Sequence, residues 1–143
     1  MDPQWSGQNA FLANIEGLES GLMIIQYVAA ALIAELHLLS SPVSRSNVPV
    51  SLGKEDHVSM GATSTYRTLR SSELLAQVIA NELVCSSEAL RRTELDAGRG
   101  VRKVTEWVGS LVPPLTSDRA MSDECMGVAT GLLSGGLSQA MGD

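Results

Sequence analysis

Between Leu18 and Leu39 the chain reads LESGLMIIQYVAAALIAELHLL, and Ser20 to Ala34 are 15 uncharged residues in a row between Glu19 and Glu35. Leu, Met, Ala, Glu and Gln all favour helix, and the run is too long for a strand. A bilayer span needs about 20 apolar residues. This run is shorter, contains Gln26 and soon reaches His37, so it predicts no membrane helix. Its apolar residues lie all round instead of forming one stripe. Such a helix has to be surrounded by others, and the rest of the 143 residues offers too few. The run therefore predicts a helix buried in something larger than this chain.

The remaining sequence predicts one all-α unit over residues 1–143. Only five residues are aromatic, Trp5, Phe11, Tyr27, Tyr66 and Trp107, so the core must come from Leu, Val, Ile, Ala and Met. That suits packed helices better than a β-sandwich. Residues 1–17 read as irregular, with Pro3, Gly7 and Gly17, and Met1–Gly7 has neither the basic start nor the apolar core of a leader peptide. Residues 40–58 read as a loop, because Pro42 and Pro49 stop a helix. From about Ser59 to Leu95, Tyr66, Leu69, Leu75, Val78, Ile79, Leu83 and Leu90 recur at helical spacing, predicting a helix long enough for a bundle. Gly98 and Gly100 break it. A shorter helix follows over Val101–Val112, closed by Pro113-Pro114. Ser122 reads as the N-cap of a last helix running to about Ala140, with Asp123 and Glu124 in its first turn.

Charge excludes one class of partner. The net charge is −6, and the densest basic stretch, Arg91, Arg92, Arg99, Arg102 and Lys103, is interleaved with Glu88, Glu94 and Asp96. It reads as a solvated helix end, with no nucleic-acid partner. Cys85 and Cys125 form no CxxC pair; two free, partly buried thiols in the cytoplasm are the simplest account, and a disulfide stays open. No nucleophile elbow, P-loop or dinucleotide fingerprint occurs, and Gly135-Gly136 reads as a helix break.

The densest ionisable cluster is Lys54-Glu55-Asp56-His57, inside the predicted loop. Adjacent loop residues rarely converge on one ion, and His37 is no more than a guess at a further ligand, so no metal site is expected. Two readings stay open: a solvated loop tip, or an active-site loop in which Glu55 is a base or hydrogen-bond acceptor and Lys54 holds a carboxylate.

A family resemblance bears on that choice. Gly17–Leu32 resembles the G-x-x-S-G-x-M-I-x-Q-x-x-A-A-A-L segment of the histidine/aromatic amino-acid ammonia-lyases, the lyases and aminomutases that depend on methylidene-imidazolone (MIO). Lys54–Met60 resembles the same family's Q-E-D-H-V-S-M loop, in the same order and setting. The likeness continues through LLAQVIANELVCSSEALRR and VPPLTSDRAMSDE, covering about residues 15–143. It implies a long-helix bundle equivalent to the C-terminal part of the ammonia-lyase fold, with residues 40–58 as the active-site loop.

The resemblance also implies chemistry. Family members are mostly helical homotetramers that eliminate ammonia from an α-amino acid or shift its amino group to the β carbon. Their electrophile, MIO (4-methylidene-imidazol-5-one), forms from an internal Ala-Ser-Gly, and this chain has no such triplet. It also lacks the family's N-terminal part with the catalytic Tyr and His. The expectation is a split enzyme: a smaller subunit that starts with Met, ends where the family ends, and completes the active site of a larger Ala-Ser-Gly-bearing chain in a hetero-oligomer on a tetrameric core. The substrate would be histidine or an aromatic amino acid, tyrosine or phenylalanine. A truncated piece, a non-catalytic scaffold or regulatory subunit, and a remnant without function are the other readings.

Residue by residue, the resemblance implies that Glu55 is the active-site Glu. Met23 falls on the pocket Met, and Tyr27, one turn later on the same face, joins it as a substrate-binding residue; helix core is the bland reading of both. Ser51 falls on a position that is acidic in plant phenylalanine enzymes and small in histidine-type ones. Lys54 stands where the family has Gln or Asn, and a cation there could attract a substrate carboxylate. Asp56, His57 and Ser59 are expected to support the site from behind, without touching substrate.

Overall fold

The computed structural model describes residues 2–94 and 96–142. Its helices are α1 (Pro3–Ser6), α2 (Met23–Leu39), α3 (Gly61–Arg91), α4 (Arg99–Leu111), α5 (Ser122–Leu133) and α6 (Gly136–Met141), with 3-10 turns at Ala10–Leu12 and Val43–Ser46. Among the described residues the one β feature is an isolated bridge between Val50 and Glu55. The fold is all-α, as expected. No helix of the described residues is long and apolar enough to cross a membrane.

α2 begins at Met23, later than its composition suggests, because Ser20 and Gly21 form a joint. Gly21 has φ +55°, and a Cβ there would lie 2.5 Å from the Phe11 carbonyl oxygen. The Asp118 carboxylate accepts from the Ser20 and Gly21 N–H groups, both at 2.8 Å, and Leu22 N–H donates to the Phe11 carbonyl at 2.8 Å. An anion at the free N–H groups of a helix start is favourable. The Ser-Gly of the motif is thus a structural hinge-point.

α2 and α3 run antiparallel. Near its start α3 sends Arg67 to the Leu38 and Leu39 carbonyls, at 2.8 and 2.6 Å, satisfying groups left open at the C-terminus of α2. Arg70 pairs with Glu35 at 2.9 Å. α3 ends at Arg91, and Leu95, the expected end, lies outside the described residues, as do Met1 and Asp143.

The expected apolar stripe of α3 is not the face this chain buries. Tyr66, Leu69, Leu75 and Ile79 are exposed, and Val78, Leu83 and Leu90 half-buried. The buried face is Leu74, Ala76, Ala80, Asn81, Val84, Ser87 and Glu88. Its small residues let α5 approach closely, where Val128 and Ala129 join Val84, Val108, Val112, Leu115, Leu22 and Ile25 in the core.

The basic stretch also departs from expectation. Glu88 is only 6% exposed and takes Arg91 at 3.2 Å and Arg92 at 2.9 Å. Arg91 goes on to the Val112 carbonyl at 3.0 Å. Arg92 reaches the Asn14 side chain at 2.9 Å and the Leu115 carbonyl at 3.3 Å, and Leu115 N–H donates to Glu88. These residues form a clip that fastens two loops to α3. A buried carboxylate needs such partners.

Further on, α4 starts at Arg99, directly after Gly98 and with Gly100 inside it. Ser122 is the first residue of α5 instead of its cap, and no side chain caps that helix, though Asp123 and Glu124 occupy its first turn as expected. The last helix is interrupted at Ser134 and Gly135, Gly135 having φ +80°.

Candidate active site

The 40–58 segment is closed by Asn47, whose side chain donates to the Val58 carbonyl and accepts from Val58 N–H at 3.0 Å. Inside it Val50 N–H donates to the Glu55 carbonyl at 3.0 Å and Glu55 N–H to the Val50 carbonyl at 3.3 Å. This pairing forces a tight reversal. Ser51 (φ +56°), Leu52 (φ +58°) and Gly53 (φ +79°) are all left-handed. For the two non-glycine residues that conformation costs on the order of 1–3 kcal/mol each, and such strain gathers at functional sites.

Ser51, Lys54 and Glu55 therefore sit together in one strained turn, followed by Asp56 and His57. All five are exposed, as is Ser59, whose hydroxyl accepts from Gly61 N–H at 3.4 Å. Among the described residues Lys54 and Glu55 form no ion pair with each other. Met23 is half-buried at the start of α2, and Tyr27, one turn on, is 67% exposed. Those two share a helix face, but no hydrogen bond among the described residues joins them to the turn. The helix-core reading of Tyr27 does not hold in this chain.

Two cavities, of about 660 Å³ and about 750 Å³, flank the contact of α2 with α3. Neither is lined by Met23, Tyr27, Ser51, Lys54 or Glu55. Tyr27, Ser51, Lys54 and Glu55 thus lie on open surface, with Met23 half-buried, and neither cavity encloses them. Two residues went unnoticed in the sequence: Asp118, which anchors the start of α2, and Asn81, a buried amide on the core face of α3. A polar residue between Ala80 and Val84 was the available signal for the second.

Among the described residues no group of His, Cys, Asp and Glu could hold a metal ion. Cys85 and Cys125 are free. Burial pushes the Cys85 thiol up to about 11, with nearby Cys125 adding to it; burial also raises Cys125, with Glu124 adding. Thiols held protonated are poor nucleophiles.

Comparison with known proteins agrees with this fold. A family model described as "Aromatic amino acid lyase" matches residues 1–110. The chain is similar to the histidine ammonia-lyase of Deinococcus radiodurans, with 40% identity over 137 residues, 96% of this chain and 26% of that enzyme. It superimposes on the crystal structure of histidine ammonia-lyase from Trypanosoma cruzi with a TM-score of 0.91 and 32% identity, over 98% of this chain and 28% of that one. For tyrosine aminomutase from Streptomyces globisporus the TM-score is 0.85 and the identity 32%, over 91% and 25% of the two chains. The chain belongs to the aromatic amino acid lyase family. It spans about a quarter of the length of the relatives it matches.

Proposed function

We propose that this chain is the smaller part of a split MIO-dependent ammonia-lyase or 2,3-aminomutase, acting on histidine or an aromatic amino acid and completing the active site of a larger polypeptide. The observation that carries the reading is the exposure of the strained Ser51–Glu55 turn and of Tyr27 in a chain spanning a quarter of its relatives. A binding wall of this kind excludes water only when another polypeptide closes over it.

No Ala-Ser-Gly occurs in this chain, so its own residues do not fit the making of the MIO electrophile. That group would come with the larger chain, where it would activate the substrate amine as a leaving group. The roles of this chain are binding and orientation. Met23 and Tyr27 offer an apolar and aromatic face to the substrate side chain. Glu55 accepts a hydrogen bond from it or moves a proton, and a fixed carboxylate beside a closed site acts by electrostatic preorganisation. Lys54 stands next to it as a cation for a carboxylate. Ser51 shapes the same turn, and Asp56, His57 and Ser59 hold it from behind.

The test is co-expression with a larger lyase-like chain carrying Ala-Ser-Gly, followed by ultraviolet detection of an acrylate product and amino-acid analysis for a β-amino acid. Activity restored by this chain is expected, with Glu55→Gln lowering kcat roughly 10²–10⁴-fold. Unchanged turnover in Glu55→Gln would assign the chain a scaffold role, which the departure at Lys54 favours. No activity with any such chain would defeat the proposal.

A further inference from the structure

The 660 Å³ cavity between α2, α3 and the start of α5 is an apolar trough with one unmet polar demand. Ile24, Val28 and Leu32 line it at i, i+4 and i+8, so they form one ridge along α2. Met126 faces it from α5. Ile24 is 60% exposed, Val28 44% and Met126 48%. Asn81 lines the trough at 4% exposure, and its Nδ2 has no hydrogen-bond partner among the described residues. A buried donor left unpaired is costly, which is why native structures seldom keep one.

The charged groups at the rim are already used. Asp118 holds the Ser20 and Gly21 N–H groups. Arg119 is bound to Glu124 and to the Pro113 and Pro114 carbonyls. The trough therefore offers an occupant apolar surface and the amides of Gln77 and Asn81, of which only Asn81 is buried with an unpaired donor, and no free charge for a polar metabolite. A ridge at four-residue spacing is the surface against which a second helix packs. This chain covers only 26% of the Deinococcus radiodurans enzyme, so most of such a polypeptide lies elsewhere.

We propose that the trough seats an apolar helix of the larger lyase polypeptide, and that this helix brings a hydrogen-bond acceptor to Asn81 Nδ2. The proposal rests on the split-enzyme reading and adds where the two chains meet.

The probe is the part of the Deinococcus radiodurans enzyme outside the matched residues, co-expressed with this chain; affinity is measured after separation and remixing. Asn81→Leu replaces the amide with an apolar side chain of the same branched heavy-atom skeleton, and Met126→Arg places a charge on the exposed wall. Both variants are expected to melt alone no lower than wild type, while binding weakens several-fold in Asn81→Leu and at least tenfold in Met126→Arg. Wild-type binding that both variants retain at full strength would overturn the trough and leave the split enzyme standing. Failure of the wild type to bind would overturn both. A lower melting temperature for Asn81→Leu alone would make Asn81 an internal packing residue and overturn the acceptor. Self-association of the wild type that Met126→Arg abolishes would give the trough to a second copy of this chain, and so overturn it too.

Discussion

From Leu74 to Arg91, α3 buries seven residues; from Gly61 to Glu73 it buries none. The first stretch is wrapped by α4, α5 and the segment ahead of α2, and is fastened by Glu88, Arg91 and Arg92. The second meets α2 and the 41–43 segment, and α2 buries Ile25 alone while exposing Ile24, Tyr27, Val28, Ile33 and Leu38. One end of the molecule is a finished core and the other is half of one. The Ser51–Glu55 turn lies in the segment that connects the end of α2 to the start of α3, the two helix ends that Arg67 ties together through the Leu38 and Leu39 carbonyls. The core and the Ser51–Glu55 turn are thus at opposite ends, while Met23 and Tyr27 stand on α2 beside the core residues Leu22 and Ile25, and a substitution in the core or in the turn should affect one or the other.

Four substitutions test that division, beginning with the strongest. Glu88→Ala leaves two half-buried guanidinium groups without their carboxylate, and should cost about 3–5 kcal/mol in urea unfolding of the isolated chain. A loss below about 1 kcal/mol would mean that the clip is not what closes this end. Gly21→Ala forces a Cβ into left-handed backbone and towards the Phe11 carbonyl; a loss of about 2–3 kcal/mol is expected from the same measurement. At the open end Leu52→Gly should act in the opposite direction. Leu52 is fully exposed and left-handed, so glycine relieves strain and should raise stability by about 1 kcal/mol. Arg70→Gln should scarcely move the melting temperature, since Arg70, Glu35 and Glu73 are all well exposed and such pairs contribute little. A large drop there would show that the open end carries its own stability after all.

The helices, the long central one above all, were legible because helix-forming composition and proline punctuation are local signals. Their burial was not. Tyr66, Leu69, Leu75 and Ile79 have the spacing of a core face, yet periodicity says only that a face is apolar, not which neighbour covers it. Arg91 and Arg92 read as solvated because charge is expected outside, and nothing local announced that Glu88 would be buried beneath them. The shift of α2 from Leu18 to Met23 depended on Asp118, far away in the chain. In the candidate site, the placement of Lys54, Glu55, Asp56 and His57 on an exposed loop was readable from Pro42, Pro49 and Gly53. The left-handed conformation at Ser51 and Leu52 was not, because neither residue type favours it.

The Asp118 anchor carries a consequence for how the chain comes to order. Its two hydrogen bonds span 97 and 98 positions, and Asn14 reaches Leu115 across 101. Contacts of such sequence separation are made late and slow the approach to the native state. Ser20 and Gly21 must wait for Asp118 to be made before α2 acquires a fixed starting point. During that interval its greasy surface is open to chance encounters.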